Sequence, residues 1–145
     1  MMYRFVIFIL LVLLMSCNNK VSKVNSPLVS IIKLQSSEAL GDFNEAKKYQ
    51  DISKLYGEYA KALSVSPEKY WIDYITAINK LGRDKKFTNQ VKYFNYNIEE
   101  VINENNSEVI FSNKNKSDRV REIIYDLKLV DSTWILQKIE YSTTD

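Results

Sequence analysis

The chain has 145 residues, 46% hydrophobic and 26% charged, a length for one domain, and its 10 Tyr, 6 Phe and 2 Trp exclude wholesale disorder. Histidine is absent and cysteine occurs once, which excludes an internal disulfide, Ser-His-Asp or Cys-His catalysis and a histidine metal site. The 20 basic and 18 acidic side chains leave a charge of +2, too little for the basic face that nucleic-acid binding requires.

The opening Met1-Met2-Tyr3-Arg4 places one positive charge before an unbroken apolar run from Phe5 to Met15, the outline of a secretory signal. A membrane-spanning helix needs about 20 apolar residues, more than this run supplies. Leu14-Met15-Ser16-Cys17 resembles the bacterial lipobox, with an aliphatic residue three positions before the cysteine and a small one directly before it. Met15 departs from the Ala, Ser or Thr usual at its position. The resemblance implies that residues 1–16 are removed and that Cys17 is lipidated, carrying a diacylglyceryl group and often an acylated amino group. Residues 17–26 would then be the acylated cysteine and a polar tether, NNKVSKVNS, that reaches about 30 Å when extended. Two or three acyl chains, at about 0.8 kcal/mol per methylene, hold a soluble domain stably at a bilayer. An odd thiol in an exported chain is accounted for in the same way. Asn18, rather than Asp, follows the cysteine, which by analogy with enterobacterial sorting fits the outer membrane of a Gram-negative cell envelope.

Ser26-Pro27 opens a helix, a preferred N-cap followed by a proline suited to the first helical position. Leu28, Ile31, Ile32, Leu34, Ala39 and Leu40 supply its apolar stripe, and Gly41 ends it. Asp42 with Glu45 three residues later has the form of a capping box. The second helix carries Phe43, Ala46 and Tyr49 and continues through Ile52, Leu55, Tyr56, Tyr59, Ala60 and Leu63. Ser66-Pro67 repeats the start signal, and Tyr70, Trp71, Tyr74, Ile75, Ile78 and Leu81 lie along one wide face before Gly82 stops the third helix.

The period then changes to 2. Phe94, Tyr96, Ile98 and Ile102 alternate with Asn95, Asn97, Glu99 and Asn103, and Asn105-Asn106 makes a turn into a short strand from Glu108 to Phe111. Beyond a polar loop, residues 120–130 alternate again, Asp131-Ser132 turns the chain, and Thr133 to Tyr141 is the last strand. Helices followed by sequential strands with short turns predict an α+β domain over residues 27–145, its sheet an antiparallel meander.

The turn Gly41-Asp42-Phe43-Asn44-Glu45-Ala46-Lys47-Lys48-Tyr49, a third helix and a closing strand Trp134-Ile135-Leu136-Gln137-Lys138-Ile139 are similar to small bacterial lipoproteins of uncharacterised function. These belong to the nuclear-transport-factor-2-like (cystatin-like) α+β group. The resemblance implies helices packed in a curved four-stranded antiparallel sheet, a cone whose mouth often holds a pocket. Members include dehydratases, isomerases and hydrolases beside non-catalytic binding and accessory domains, so fold does not transfer function.

Tyr70, Trp71, Tyr74, Phe94, Tyr96, Tyr125 and Trp134 are the candidates to line such a pocket, with ordinary core packing the competing role. An enzyme without histidine would rely on tyrosine and aspartate, and Asp73-Tyr74, Tyr96, Tyr125 and Asp126 are the residues available. Tyr125 and Asp126 are adjacent on a strand and point to opposite faces, so they cannot share a pocket. Glu99, Glu100, Glu104 and Glu108 lack the spacing of a calcium loop, and pairing with the basic Lys114, Lys116, Arg119 and Arg121 is the simpler expectation. No catalytic, metal-ligating or cofactor-binding residue is assigned, and no cofactor is expected. The reading is a membrane-anchored envelope lipoprotein with a binding or accessory domain. Its expected partners are the membrane through Cys17, a small apolar ligand or an envelope protein, and a second copy of the chain. A hydratase- or isomerase-like enzyme of the cone is the alternative.

Overall fold

A computed structural model describes residues 24–83, 96–114 and 120–143. Among them, four helices and a 3₁₀ turn precede four strands that pair in chain order, β1-β2-β3-β4, as an open antiparallel sheet. The fold is α+β, as the alternation of periods predicts. Phe94, Lys116 and Arg119, like Cys17, lie outside the described residues.

Helix α1 (Pro27–Leu40) starts where its sequence directs. The Ser26 hydroxyl accepts from the Val29 amide, Pro27 occupies the first turn, and the Glu100 carboxylate accepts from the Leu28 amide at 3.0 Å. A carboxylate at the positive end of a helix is favourable. The stripe it buries is narrower than expected. Pro27, Ser30, Ile31, Leu34 and Ser37 face inward, while Ile32 and Leu40 are exposed. Gly41 ends the helix in the left-handed region at φ 75°, its amide donating to Glu38 and the Asp42 amide to Ser37.

The second helix expected from the sequence is broken. It divides into α2 (Phe43–Ala46), a 3₁₀ turn (Lys47–Tyr49) and α3 (Ile52–Ala62). Asp42 caps α2 by accepting from the Glu45 amide, but the Glu45 carboxylate turns to Lys48 and the Tyr49 hydroxyl instead of closing the box. The break has a purpose in the sheet. Gln50 is extended and bridges Leu136 in parallel, and the Asp51 amide donates to the Leu136 carbonyl at 2.8 Å. Part of the β4 edge is thereby covered, which blunts it against unwanted pairing. Asp51 then caps α3 through the Lys54 amide. Ser64 at φ 56° turns the chain, and α4 (Pro67–Arg83) starts on the Ser66 cap and runs through Gly82 rather than stopping there.

The strands are β1 (Tyr96–Asn103), β2 (Asn106–Asn113), β3 (Val120–Val130) and β4 (Thr133–Thr143). The β2 strand is longer than the four residues expected, and the first turn centres on Glu104-Asn105. Asp131 and Ser132 both have positive φ, as a two-residue hairpin with right-handed twist demands. Register shifts beside Arg121 and Gln137 mark bulges, which bend the strands that carry them.

Register assigns the faces. Val109, Phe111, Ile123, Tyr125, Leu127, Trp134 and Leu136 point to the helices and are buried with Ile31, Leu34, Ala46, Trp71 and Ile75. The alternation holds at β1 but the expected burial fails, because on this edge strand Ile98, Val101 and Ile102 are exposed and only Tyr96 packs against the core.

Candidate functional site

The aromatic candidates divide between core and surface. Trp71, Tyr125 and Trp134 are buried, and Tyr96 is half-buried against them. Their rings interlock edge to face, Phe111 lying 5.3 Å from Tyr125 and 6.4 Å from Tyr96, and Phe43 lying 5.2 Å from Trp71. Aromatic pairs favour this arrangement because the positive ring edge meets the negative face. Their polar atoms are satisfied within the fold. The Tyr125 hydroxyl accepts from the Gln35 amide at 3.1 Å, and the Trp71 indole donates to Glu38 at 2.7 Å. Between helices and sheet these rings fill the interior.

Two surface clefts lie elsewhere, and neither is lined by these aromatics. One, of about 490 Å³, lies where the α3 N-terminus meets β3 and β4, with Gln50, Lys54, Lys128 and Ile135 on its walls. The other, of about 510 Å³, crosses the outer sheet face past Val101, Asn103, Glu108, Asp126 and Lys128. They share Lys54, Lys128 and Gln137, and Lys54 donates to the Gln137 side chain at the β4 bulge. The Asp126 carboxyl is held above its ordinary pKa, first by burial and then by Glu140 and Glu108, with Lys138 opposing. Tyr125 and Asp126 do fall on opposite faces. Among the described residues, no three acidic, cysteine or histidine side chains are placed to hold a metal ion.

The expected pairing of Glu99, Glu100, Glu104 and Glu108 with the basic loop is not found among the described residues. Glu100 serves the start of α1 instead.

Tyr70 and Tyr74 belong to a different structure from Trp71, although one helix carries all three. The Tyr70 ring stacks on Tyr59 at 5.8 Å and on Tyr74 at 6.1 Å, with planes within 10°. Tyr56 lies behind them, 6.1 Å from Tyr70 and 6.3 Å from Tyr74, and burial drives its phenol pKa upward. Residues four apart on a helix stand above one another, which sets Tyr70 over Tyr74, while the antiparallel α3 brings Tyr59 and Tyr56 alongside. The Tyr141 phenol on β4 is pushed up by burial first and then by the neighbouring Tyr74, and it extends the row to the sheet. Tyr56, Tyr59 and Tyr141 are legible in the sequence only as helix and strand residues, because the crossing of α3 over α4 is what assembles them.

No family model matches the chain, and no match to it is found among curated proteins or solved structures. Among the described residues, no helix is long and apolar enough to cross a membrane.

Proposed function

We propose that this chain is a lipid-anchored envelope protein, acylated at Cys17, whose domain of the nuclear-transport-factor-2-like kind works by surface contact rather than by turnover. The Leu14-Met15-Ser16-Cys17 motif behind an apolar run supports the anchor, and an antiparallel α+β fold is compatible with that group. The observation that carries the binding reading is the packed interior. Trp71, Phe111, Tyr125 and Trp134 are packed in the core between helices and sheet, which supports recognition at exposed surfaces. Both clefts lie open at the surface and combine apolar side chains with lysine, carboxylate and amide groups, which suits contact with a partner's surface.

Expression with labelled fatty acid tests the anchor. The protein should incorporate label and fractionate with membranes, and Cys17→Ala should abolish both; label that survives the change rejects it. The enzyme alternative retains one specific support, the raised Asp126 carboxyl at the wall of a cleft beside Lys128. Turnover of a hydratase or isomerase substrate that is lost on Asp126→Asn would establish that alternative.

A further inference from the structure

The fold treats the two edges of its sheet differently. At β4, Gln50 bridges Leu136 and the Asp51 amide donates to the Leu136 carbonyl. On the free side of β1 no segment pairs among the described residues, and Ile98, Val101 and Ile102 are each about half exposed. A bare edge of eight residues is a template for another strand. Its side chains alternate. Ile98, Glu100 and Ile102 lie on the helix side with Phe111, Val109 and Ser107, and Glu99 and Val101 lie on the outer side.

We infer that the chain's own segment from Asn19 to Lys23 takes this edge, running antiparallel to β1 with Lys23 opposite Glu99 and Val21 opposite Val101. The first support is position. The chain joins the fold at Ser26 beside β1, where the Leu28 amide donates to Glu100 at 3.0 Å. Lys23 is three residues from Ser26, a span of about 10 Å, and Val24 and Asn25, which join no strand, make the connection. A segment attached this closely acts at about millimolar effective concentration, ahead of partners in solution.

Charge is the second support. Residues 18–26 carry Lys20 and Lys23 and no acid. Glu99 makes no ion pair among the described residues. Lys23 meets it on the outer side, while Lys20, three residues earlier, falls on the helix side and comes diagonal to Glu100. A second copy meets the reverse. The two longest self-pairings of β1 that keep the faces matched set Glu99 against Glu99 or Glu100 against Glu100. Like charges directly opposite are destabilising.

Side-chain order gives the direction. Val21 and Lys23 share a face, as Val101 and Glu99 do. An antiparallel course brings valine to valine and lysine to glutamate together, whereas a parallel course through the same Lys23–Glu99 pair sets Asn25 at Val101. Lysines on the added strand also guard the new edge against further pairing. The pairing itself needs no acyl group. Where Cys17 is lipidated, it converts a tether of about 30 Å reach into a short link that leaves the sheet at the β1–β2 turn.

Hydrogen exchange on the full chain tests this. Every second amide of an edge strand points away from its sheet. Across residues 97–103 the outward amides should be protected along with those bonded to β2. Successive tether amides alternate in direction, so Val21→Pro with Ser22→Pro removes one that faces β1. This variant should speed exchange of the outward amides by about tenfold or more and leave β2 and β3 unchanged. Lys20→Glu with Lys23→Glu should act in the same direction. On oxidation, Val21→Cys should cross-link to Val101→Cys and not to Asn97→Cys, its neighbour in a parallel course, as read by peptide mass. A link to position 97 instead of 101 overturns the antiparallel pairing. Outward amides that exchange freely in the full chain overturn the inference. So does protection that survives the prolines, which assigns the edge to a second copy where it grows with protein concentration and to another segment where it does not. The mass of the N-terminal peptide reports acylation on the same sample, so the anchor and the pairing stand or fall separately.

Discussion

Glu38 on α1 and Trp71 on α4 are joined by a 2.7 Å hydrogen bond from the indole Nε1 to Oε1, and the same oxygen accepts from Gln50 at 3.5 Å. The Glu38 backbone carbonyl also accepts from the Asn79 side chain at 2.7 Å. One residue thus ties the first helix, the last helix and the segment that covers β4.

Glu38→Ala should cost about 1 to 3 kcal/mol, because it leaves a buried indole donor without its acceptor. Glu38→Gln keeps an acceptor and should cost less. Urea denaturation of both variants measures the ordering, and equal losses would mean that a neutral amide acceptor does not replace the carboxylate.

Trp134 is buried between sheet and helices. Trp134→Ala should therefore destabilise the fold by about 3 to 5 kcal/mol through lost transfer energy and a cavity. A midpoint shift near zero in denaturant would place the ring outside the core.

Ser64 holds a left-handed backbone between α3 and α4 at φ 56°. A side chain there costs about 1 to 2 kcal/mol, and glycine removes that cost at a smaller entropic penalty in the unfolded chain. Ser64→Gly should raise stability by about 0.5 to 1 kcal/mol. Loss of stability on thermal unfolding would contradict the turn geometry.

The Asp126 carboxyl has its pKa raised by burial first, then by Glu140 and Glu108. A carboxyl raised in the folded state opposes folding when ionised. That penalty is full above the folded pKa and fades as the pH falls through it toward the unfolded value. Asp126→Asn should therefore be more stable than the parent at pH 7, with the advantage shrinking in acid. Denaturation midpoints of the two proteins that stay parallel from neutral to acid pH would count against this assignment.

How far the sequence carried the fold depends on which physics set each element. Local signals were sufficient where the chain solves its own problem. Ser26-Pro27, Gly41, Ser66-Pro67 and Asp131-Ser132 each satisfy backbone groups within a few residues, and each marks a true boundary. They failed where a distant strand decides. Nothing near Gln50 announces that it will leave the helix to bridge Leu136, although Asp51 is a legible cap for α3. Gly82 remains helical because a weak stop signal does not prevail over a helix already anchored by Trp71 and Ile75. The β1 strand alternates correctly but lies at the sheet edge, where the helices do not cover Ile98 and Ile102. For the candidate site, periodicity found the wide face of α4. It could not divide that face between core and surface, because the division depends on where α3 crosses.

The start of α1 has a mechanical consequence. A pull on the chain at Ser26 enters the fold through one helical turn, held to β1 by the Leu28–Glu100 hydrogen bond and to the core by the buried Pro27 and Ser30. The next residues inward, Ile31 and Leu34, are buried and resist. One turn drawn out from helix to extended chain lengthens the connection by about 7 Å. Such a load is therefore met first by this turn and its buried Pro27 and Ser30, before it reaches the sheet and its aromatic interior.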